Sequence, residues 1–253
     1  MGSGYNVFWL HQTSELLLSG VVVDHVAIAP GGDQPHVGAA VHLRDRAHAV
    51  LEDCSVRSVH GLGLWTLHRP RAEVTRCRFF DTGRSGIALF GRATVRCSDC
   101  LFEDCRAHGC CSRGESRVLL ERCLFTHCGQ RGVYAYQQCH MTMQDCVVRG
   151  TEDPSRAAVD GGGCKAGDAV RLELVRCVVE GNKGAGVRLR GSVTLAAAGS
   201  RSFANATDLD IALGGPTPEE QVAPVVETPL GLVFGSLLLA PKIGLQLVSA
   251  SPS

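Results

Sequence analysis

The residues with the most obvious capacity for chemistry are the 13 cysteines of this 253-residue chain. Cys97 and Cys100 form a C-x-x-C motif, and Cys105 and Cys128 are separated by an interval of 23. Four thiolates bind Zn²⁺ when they converge as a tetrahedron, which side chains facing one way along a repeat seldom do. One hypothesis is therefore a zinc-stabilised structural protein, with Cys97, Cys100, Cys105 and Cys128 as ligands, and the alternative is that these cysteines are core residues.

A second group of polar residues suggests acid–base chemistry. Ser58, Asp81, Asp104 and His127 each lie four residues beyond a regularly spaced cysteine. Two carboxylates and an imidazole on one side of a repeat would suit an enzyme resembling a polysaccharide lyase or hydrolase, with Asp81, Asp104 and His127 as its catalytic groups. Asp and His are also common in turns. Because no accompanying motif of such enzymes is found, the sequence favours a protein without catalysis.

The spacing of the cysteines indicates a repeat. Cys54, Cys77, Cys100, Cys123 and Cys146 follow one another at intervals of 23, and Cys177 follows after an interval of 31. A file of glycines has the same intervals and contains Gly63, Gly86, Gly109, Gly132, Gly163 and Gly186. Both files predict one eight-residue insertion within residues 147–162. Self-similarity at such a period is typical of a solenoid, in which each coil buries its apolar face against its neighbours.

The local pattern indicates which solenoid this is. The second half of each repeat, as in GIALFGRATV and GVYAYQQCHM, alternates with period two, so each coil is predicted to be strand on at least two sides. Equivalent residues of successive coils would lie about 4.8 Å apart, and the cysteines would form an internal ladder. The residues before the cysteines alternate in charge and are predicted to form a salt-bridge ladder on the outside of a sheet; they are Asp53, Arg76, Asp99, Arg122, Asp145 and Arg176.

The pattern V-x-V-x-x-C-x-F, followed by a strand that begins with glycine, resembles the repeat of the pectate lyase-like superfamily, with Cys where many members carry a stacked Asn. The resemblance covers residues 24–213 and implies an all-β, right-handed parallel β-helix of about 7–8 coils of 23 residues. It implies no single function, because lyases, hydrolases, epimerases and binding domains share this fold. Among intracellular proteins, the chain is similar to the β-helix domains of F-box substrate adaptors and SHC-binding proteins.

The second strand of each coil carries the predicted binding surface. Counting from its glycine, the first and third residues should point inward and the second and fourth outward. The outward set combines aromatic and basic residues, as protein interfaces do; it contains Trp65, Leu67, Phe90, Arg113, Tyr134, Tyr136, Lys165, Arg188 and Arg190. The sequence thus predicts a non-catalytic binding scaffold that presents this face to a protein or glycan partner and requires no cofactor.

The ends of the chain are less regular. His25 is predicted to take the cysteine position in a first coil, and Ser200 or Arg201 in a last one. The β-helix is assigned to residues 1–213, a linker to 214–229, and an apolar segment that caps the solenoid or forms a tail to 230–253.

The overall charge limits the partners. Twenty-five basic and 25 acidic residues cancel, so neither nucleic acid nor a membrane is expected as a partner. The N-terminal residues lack the features of a secretory signal, which predicts a cytoplasmic protein.

Overall fold

The computed structural model describes residues 6–26, 38–162 and 169–212, together with three short strands further on, Val225–Glu227, Val233–Phe234 and Leu247–Val248. Every regular element in these ranges is a strand. No helix in the described parts of the chain has the length and apolar character that a membrane crossing requires.

The strands follow one another in triplets, and each triplet is one coil. The first three coils contain β1 (Asn6–Leu10), β2 (Glu15–Ser19), β3 (Val22–His25), β4 (Ala39–Asp45), β5 (His48–Glu52), β6 (Ser55–Ser58), β7 (Leu62–His68), β8 (Arg71–Thr75) and β9 (Arg78–Thr82). The next three contain β10 (Ile87–Gly91), β11 (Thr94–Ser98), β12 (Leu101–Cys105), β13 (His108–Gly114), β14 (Arg117–Glu121), β15 (Leu124–Thr126), β16 (Arg131–Tyr136), β17 (His140–Gln144) and β18 (Val147–Arg149). The last coils contain β19 (Ala157–Gly162), β20 (Val170–Val175), β21 (Val178–Glu180), β22 (Ala185–Arg190), β23 (Val193–Ala198), β24 (Arg201–Phe203) and β25 (Thr207–Ala212), followed by β26 (Val225–Glu227), β27 (Val233–Phe234) and β28 (Leu247–Val248).

Three parallel sheets result from this winding. Sheet A contains β1 and every third strand to β25, sheet B begins with β2, and sheet C begins with β3. Neighbouring strands pair in parallel, and most pairs join residues one repeat apart, as Ile87 does with Cys110 and Thr94 with Arg117. The predicted parallel β-helix is therefore confirmed, with eight complete triplets and strands on three sides of each coil rather than two.

The interior is organised as vertical files. The rings of Phe79, Phe102 and Phe125 stack with centroids 5.2 and 4.6 Å apart, and all three are fully buried. The cysteine ladder is also buried, as predicted. Its thiols donate to the carbonyl two residues earlier; the Cys100 Sγ lies 3.2 Å from the Ser98 oxygen. The file therefore satisfies backbone acceptors at a turn while filling apolar space.

The predicted charge ladder exists, but not on a sheet surface. Asp99 and Arg122 have positive φ angles of 56° and 52°, and the whole file occupies this left-handed turn conformation. Within each pair, two guanidinium nitrogens bind both carboxylate oxygens of the preceding coil, at 2.7 Å each for Arg122 and Asp99. The hydrogen bond from Arg122 lowers the pKa of Asp99. The file ends in Gly20 and Gly199, which adopt a positive φ without strain.

The predicted register is wrong in the first coil. Val22 pairs with Ser55, so Val21, the residue before it, takes the position equivalent to Cys54. His25 instead pairs with Ser58. The prediction of Ser200 at the other end is confirmed, because Arg201 pairs with Val178.

The eight-residue insertion is divided rather than continuous. Val133 pairs with Val159, an interval of 26, and Val159 pairs with Val187, an interval of 28. Three of the extra residues therefore precede β19 and five follow it, so Ala158 rather than Gly163 continues the glycine file.

The assignments for residues 214–253 fall almost entirely outside the described residues. Of this part, Val225–Glu227 pairs with β23 in sheet B and Val233–Phe234 pairs with β24 in sheet C. The linker and the apolar segment remain predictions.

The glycine file exists because the phenylalanine file lies beneath it. A Cβ atom added to Gly109 would lie 2.5 Å from Cδ1 of Phe125 and 2.7 Å from the oxygen of Gly132. We expect Gly109→Ala to lower the free energy of unfolding by roughly 1–3 kcal/mol, the usual cost of overpacking a core. Gly162→Ala is the control, because its nearest neighbour is an ordinary 3.7 Å contact. Equal denaturant midpoints for the two variants would contradict this explanation.

Candidate binding surface on sheet A

The outer face of sheet A is the candidate binding surface. The file through its centre contains Trp9, His42, Trp65, Ala88, Cys111, Tyr134, Asp160 and Arg188. A second file lies beside it and contains Arg44, Leu67, Phe90, Arg113, Tyr136, Gly162 and Arg190. At the start of the strands, His108 and Arg131 turn onto the same face and contact the ring of Tyr134.

The predicted inward positions of these strands are buried. Leu64, Ile87, Leu89, Val133 and Leu189 are each at most 2% exposed. The predicted outward residues Trp65, Leu67, Phe90, Tyr134 and Tyr136 are half-buried, and Arg113 is exposed. The alternation of the strands therefore places these side chains on one face, as their spacing predicted.

Lys165 lies outside the described residues. The position beside Tyr134 that was predicted for it is occupied by Asp160, because the insertion is divided around β19. Arg188 and Arg190 follow in the next strand, β22, and complete the file as predicted.

One half of this face is apolar and aromatic. The rings of His42 and Trp65 stack 4.2 Å apart at 8°, and Trp9 stacks on the other side of His42 at 6.3 Å. Trp65 and Phe90 also pack against a small apolar cluster that is separate from the main core and consists of Ala39, Leu62 and Ala88. Trp9 and His42 were not predicted from the sequence, although they continue the Trp65 file into the two preceding coils.

The other half is dominated by arginine and tyrosine. Asp160 is completely buried, and its Oδ2 accepts hydrogen bonds from Nε of Arg131 at 2.7 Å and from Arg190 at 2.9 Å. The guanidinium of Arg131 also lies 4.3 Å from the centre of the Tyr134 ring. Arg113 lies over Tyr136 at 5.6 Å. This ion-pair cluster was not predicted, because the register that creates it depends on the insertion.

Several buried polar atoms on this face have no hydrogen-bond partner among the described residues. They are both ring nitrogens of His42, Nε of Arg44, Nε1 of Trp65, Nδ1 of His108, Oδ1 of Asp160 and Nε of Arg190. An unsatisfied buried polar atom typically costs about 1–3 kcal/mol. These atoms are concentrated on the outer side of one sheet rather than in the core, and buried polar atoms without a partner are rare enough in folded proteins to require an explanation.

The buried histidines make the stability of this face dependent on pH. Burial, assisted by the charge of Arg44, lowers the pKa of His42 to about 4, whereas an unfolded histidine titrates near about 6.5. Below pH ~6.5 the unfolded chain therefore binds a proton that the folded chain excludes, so stability is lost as the pH falls from about 6.5 to about 4. His108 acts in the same direction, since burial lowers its pKa to about 3.

We expect His42→Phe, which keeps the stack but cannot titrate, to lose less stability than wild type over this pH range. Denaturant midpoints measured at intervals from pH ~6.5 to ~4 test this expectation. Parallel curves for the two proteins would contradict it.

The alternative catalytic residues lie elsewhere, in the turn at the carboxyl end of the sheet C strands: Asp81 and Asp104 are the fourth residues of β9 and β12, and His127 directly follows β15. Asp81, Asp104 and His127 have φ angles of 46°, 51° and 52°, and the next positions of this file are Gly150 and Gly181. Residues that tolerate a left-handed conformation are thus required by the backbone here. Asp81 is bound by Arg57 at 2.7 Å, and Asp104 and His127 are exposed.

Ser58 does not belong to this file. It is fully buried and pairs with Thr82 across a register shift, so it lies in an interior file. A shallow groove of about 380 Å³ at this turn includes His127 and Gly150 in its lining, but begins one coil beyond Asp104.

The four cysteines of the zinc hypothesis lie in three different interior files. Cys97, in the file of Val74 and Leu120, contacts Cys100 of the cysteine ladder in the main core, whereas Cys105 and Cys128 contact each other in the file of Thr82. The hydrogen bond with Cys100, together with burial, holds the pKa of Cys97 well above its usual value. Among the described residues, no group of three or more His, Cys, Asp or Glu side chains is arranged to hold a metal ion.

Comparison with known proteins supports the fold assignment. The family model described as "right handed beta helix region" matches residues 39–201. No curated protein and no solved structure matches the chain.

Proposed function

Because the chain belongs to the right-handed beta helix family, a fold that hosts both enzymes and binding domains, we propose its function from its surface: a non-catalytic scaffold that binds a protein or glycan partner through the outer face of sheet A. The observation that carries the proposal is the concentration of stacked aromatic rings and unpartnered buried polar atoms on this one face.

The residue types on this face are those of a binding surface rather than of a surface that only stabilises the fold. Trp, Tyr and Arg are the residues that most often dominate binding energy at interfaces, where they sit half-buried on a rigid frame. Trp65 and Tyr134 meet this description, because the parallel ladders on both sides hold their strands in place.

The direct test is a double variant, Trp65→Ala with Tyr134→Ala, used as bait alongside wild type for proteins and on a glycan array. The control is Phe80→Ala with Phe203→Ala, which removes two aromatic rings from the outer face of sheet C. Loss of one hot spot worth about 2 kcal/mol weakens binding roughly 30-fold, so the double variant should weaken capture by at least that much, whereas the control double should behave as wild type.

Two results would overturn the proposal. One is equal capture by the Trp65/Tyr134 double and wild type. The other is turnover of a uronate polymer that Asp104→Asn abolishes, because this would place the function in the turn at the carboxyl end of the sheet C strands and favour the enzyme alternative.

A further inference from the structure

The outer face of sheet A has a net positive charge, although the net charge of the whole chain is zero. The described side chains of this face include one carboxylate, that of the buried Asp160, and five arginines, namely Arg44, Arg113, Arg131, Arg188 and Arg190. Asp210 follows Arg188 in the register of β25, so Arg188 is left out of the contacts proposed below. The outer face of sheet B instead carries five glutamates and four arginines. A chain of zero net charge therefore presents one positive face.

Arg113 and Arg190 are held in place and still accessible to a partner, whereas Arg131 is buried. The guanidinium of Arg113 lies over Tyr136 and has no carboxylate partner among the described residues. Arg131 and Arg190 both bind Oδ2 of Asp160, so that two cations share one anion. Guanidinium groups bind carboxylates through two parallel hydrogen bonds, and stacking on an aromatic ring leaves their N–H edges available.

Most of the charge is separated from the apolar surface along the axis of the solenoid. The coils of Trp9 to Phe90 present the aromatic stack and the apolar cluster with one arginine, Arg44, and the coils of Arg113 to Arg190 present the other four arginines. Between Trp65 and Tyr134 the central file contains only the small side chains of Ala88 and Cys111, so the two rings lie three coils, about 14 Å, apart. Trp65 and Asp160 lie four coils, about 19 Å, apart, and an extended peptide of roughly six residues spans this distance.

We infer that the partner is an extended peptide segment with an apolar or aromatic part followed by an acidic part. The apolar part lies against Trp65, Leu67 and Phe90, and the carboxylates bind Arg113 and Arg190. This inference rests on the proposed function and names the partner class for the same face. A uniformly charged polyanion fits less well, because half of its charges would lie against Trp65, Leu67 and Phe90.

The test uses a fluorescein-labelled synthetic peptide of about ten residues, with tryptophan and leucine in one half and glutamate in the other. Fluorescence anisotropy should show that it binds at least about tenfold more tightly than the same peptide with lysine in place of glutamate, and more tightly than polygalacturonate. Arg113→Glu should weaken binding at least about tenfold. The matched control is Arg117→Glu, which makes the same change at an exposed arginine of sheet B.

The outcomes separate the inference from the proposed function. Absence of peptide binding, equal binding of the lysine peptide, or an Arg113→Glu variant that binds as wild type overturns the acidic-peptide inference. If a glycan binds instead, and does so through Trp65 and Tyr134, the inference fails while the proposed function stands. If the peptide binds but Arg113→Glu and the Trp65/Tyr134 double have no effect, both fail.

Discussion

Phe102→Ala is expected to lower the free energy of unfolding by about 3–5 kcal/mol, the range found for removal of a fully buried phenylalanine. The Phe102 ring is 0% exposed and stacks on both sides, against Phe79 at 5.2 Å and Phe125 at 4.6 Å. Its removal creates a cavity at the centre of the file, and the adjacent coils cannot close it without breaking their ladders. Chemical denaturation followed by far-ultraviolet circular dichroism measures the effect.

Phe203→Ala is the control for this prediction. Phe203 is 36% exposed on the outside of β24, so its removal should change stability by no more than about 0.5 kcal/mol. If Phe203→Ala lowers the free energy of unfolding as much as Phe102→Ala does, the assignment of inward and outward files is wrong.

The second large effect is expected at the buried ion pair. Asp160→Asn leaves Arg131, whose side chain is 5% exposed, and Arg190 without a carboxylate. Removal of one member of a buried ion pair typically costs about 3–5 kcal/mol, because the remaining charge is buried without compensation. Thermal unfolding should therefore show a marked decrease in Tm.

Asp99→Asn removes an equally well-formed ion pair from the surface and serves as the control. Asp99 binds Arg122 through both oxygens, at 2.7 Å each, but both side chains are exposed. Solvent screens such pairs, so the variant should unfold close to wild type. A loss of stability in Asp99→Asn as large as that in Asp160→Asn would contradict the account, because it would show that burial does not determine the cost of removing the carboxylate.

The fold could be predicted because the same residue types recur at a fixed interval along the sequence. Cys54, Cys77 and Cys100 recur at intervals of 23, and phenylalanines follow two residues beyond several of them. Identical residues at a fixed interval require identical environments, which only stacking provides. The alternation in the second strand then determined which residues face outward, and the half-buried positions of Trp65 and Tyr134 follow from that rule.

The turn conformations could not be predicted from these patterns. Asp104 and Arg122 both occupy left-handed positions, although arginine is rarely found there. The carboxylate of Asp104 thus looked like part of an acid–base group, and the charge of Arg122 like part of a sheet surface. The backbone geometry explains both positions. Gly150 and Gly20 occupy the same two turns, and these glycines could have indicated the left-handed conformation from the sequence.

The ion-pair cluster was missed because an insertion can be placed in more than one way. The sequence fits Gly163 in the glycine file as well as it fits Ala158, and only the hydrogen bonds of β19 distinguish them. A shift of five residues replaces Lys165 with Asp160 beside Tyr134, which changes a cation into an anion. The sign of the charge at the centre of the binding face therefore depends on the three-dimensional pairing.

The outer face of sheet A must be a continuous surface on which a partner binds if the proposed function is right. Hydroxyl-radical footprinting of the protein, free and with the tryptophan–glutamate peptide bound, tests this most directly. We predict that Trp65, Tyr134 and Tyr136 are oxidised in the free protein and protected in the complex, whereas Phe102 is unmodified and His140 on sheet B is equally modified in both. Protection of His140 or His127 without protection of Trp65 and Tyr134 would contradict it.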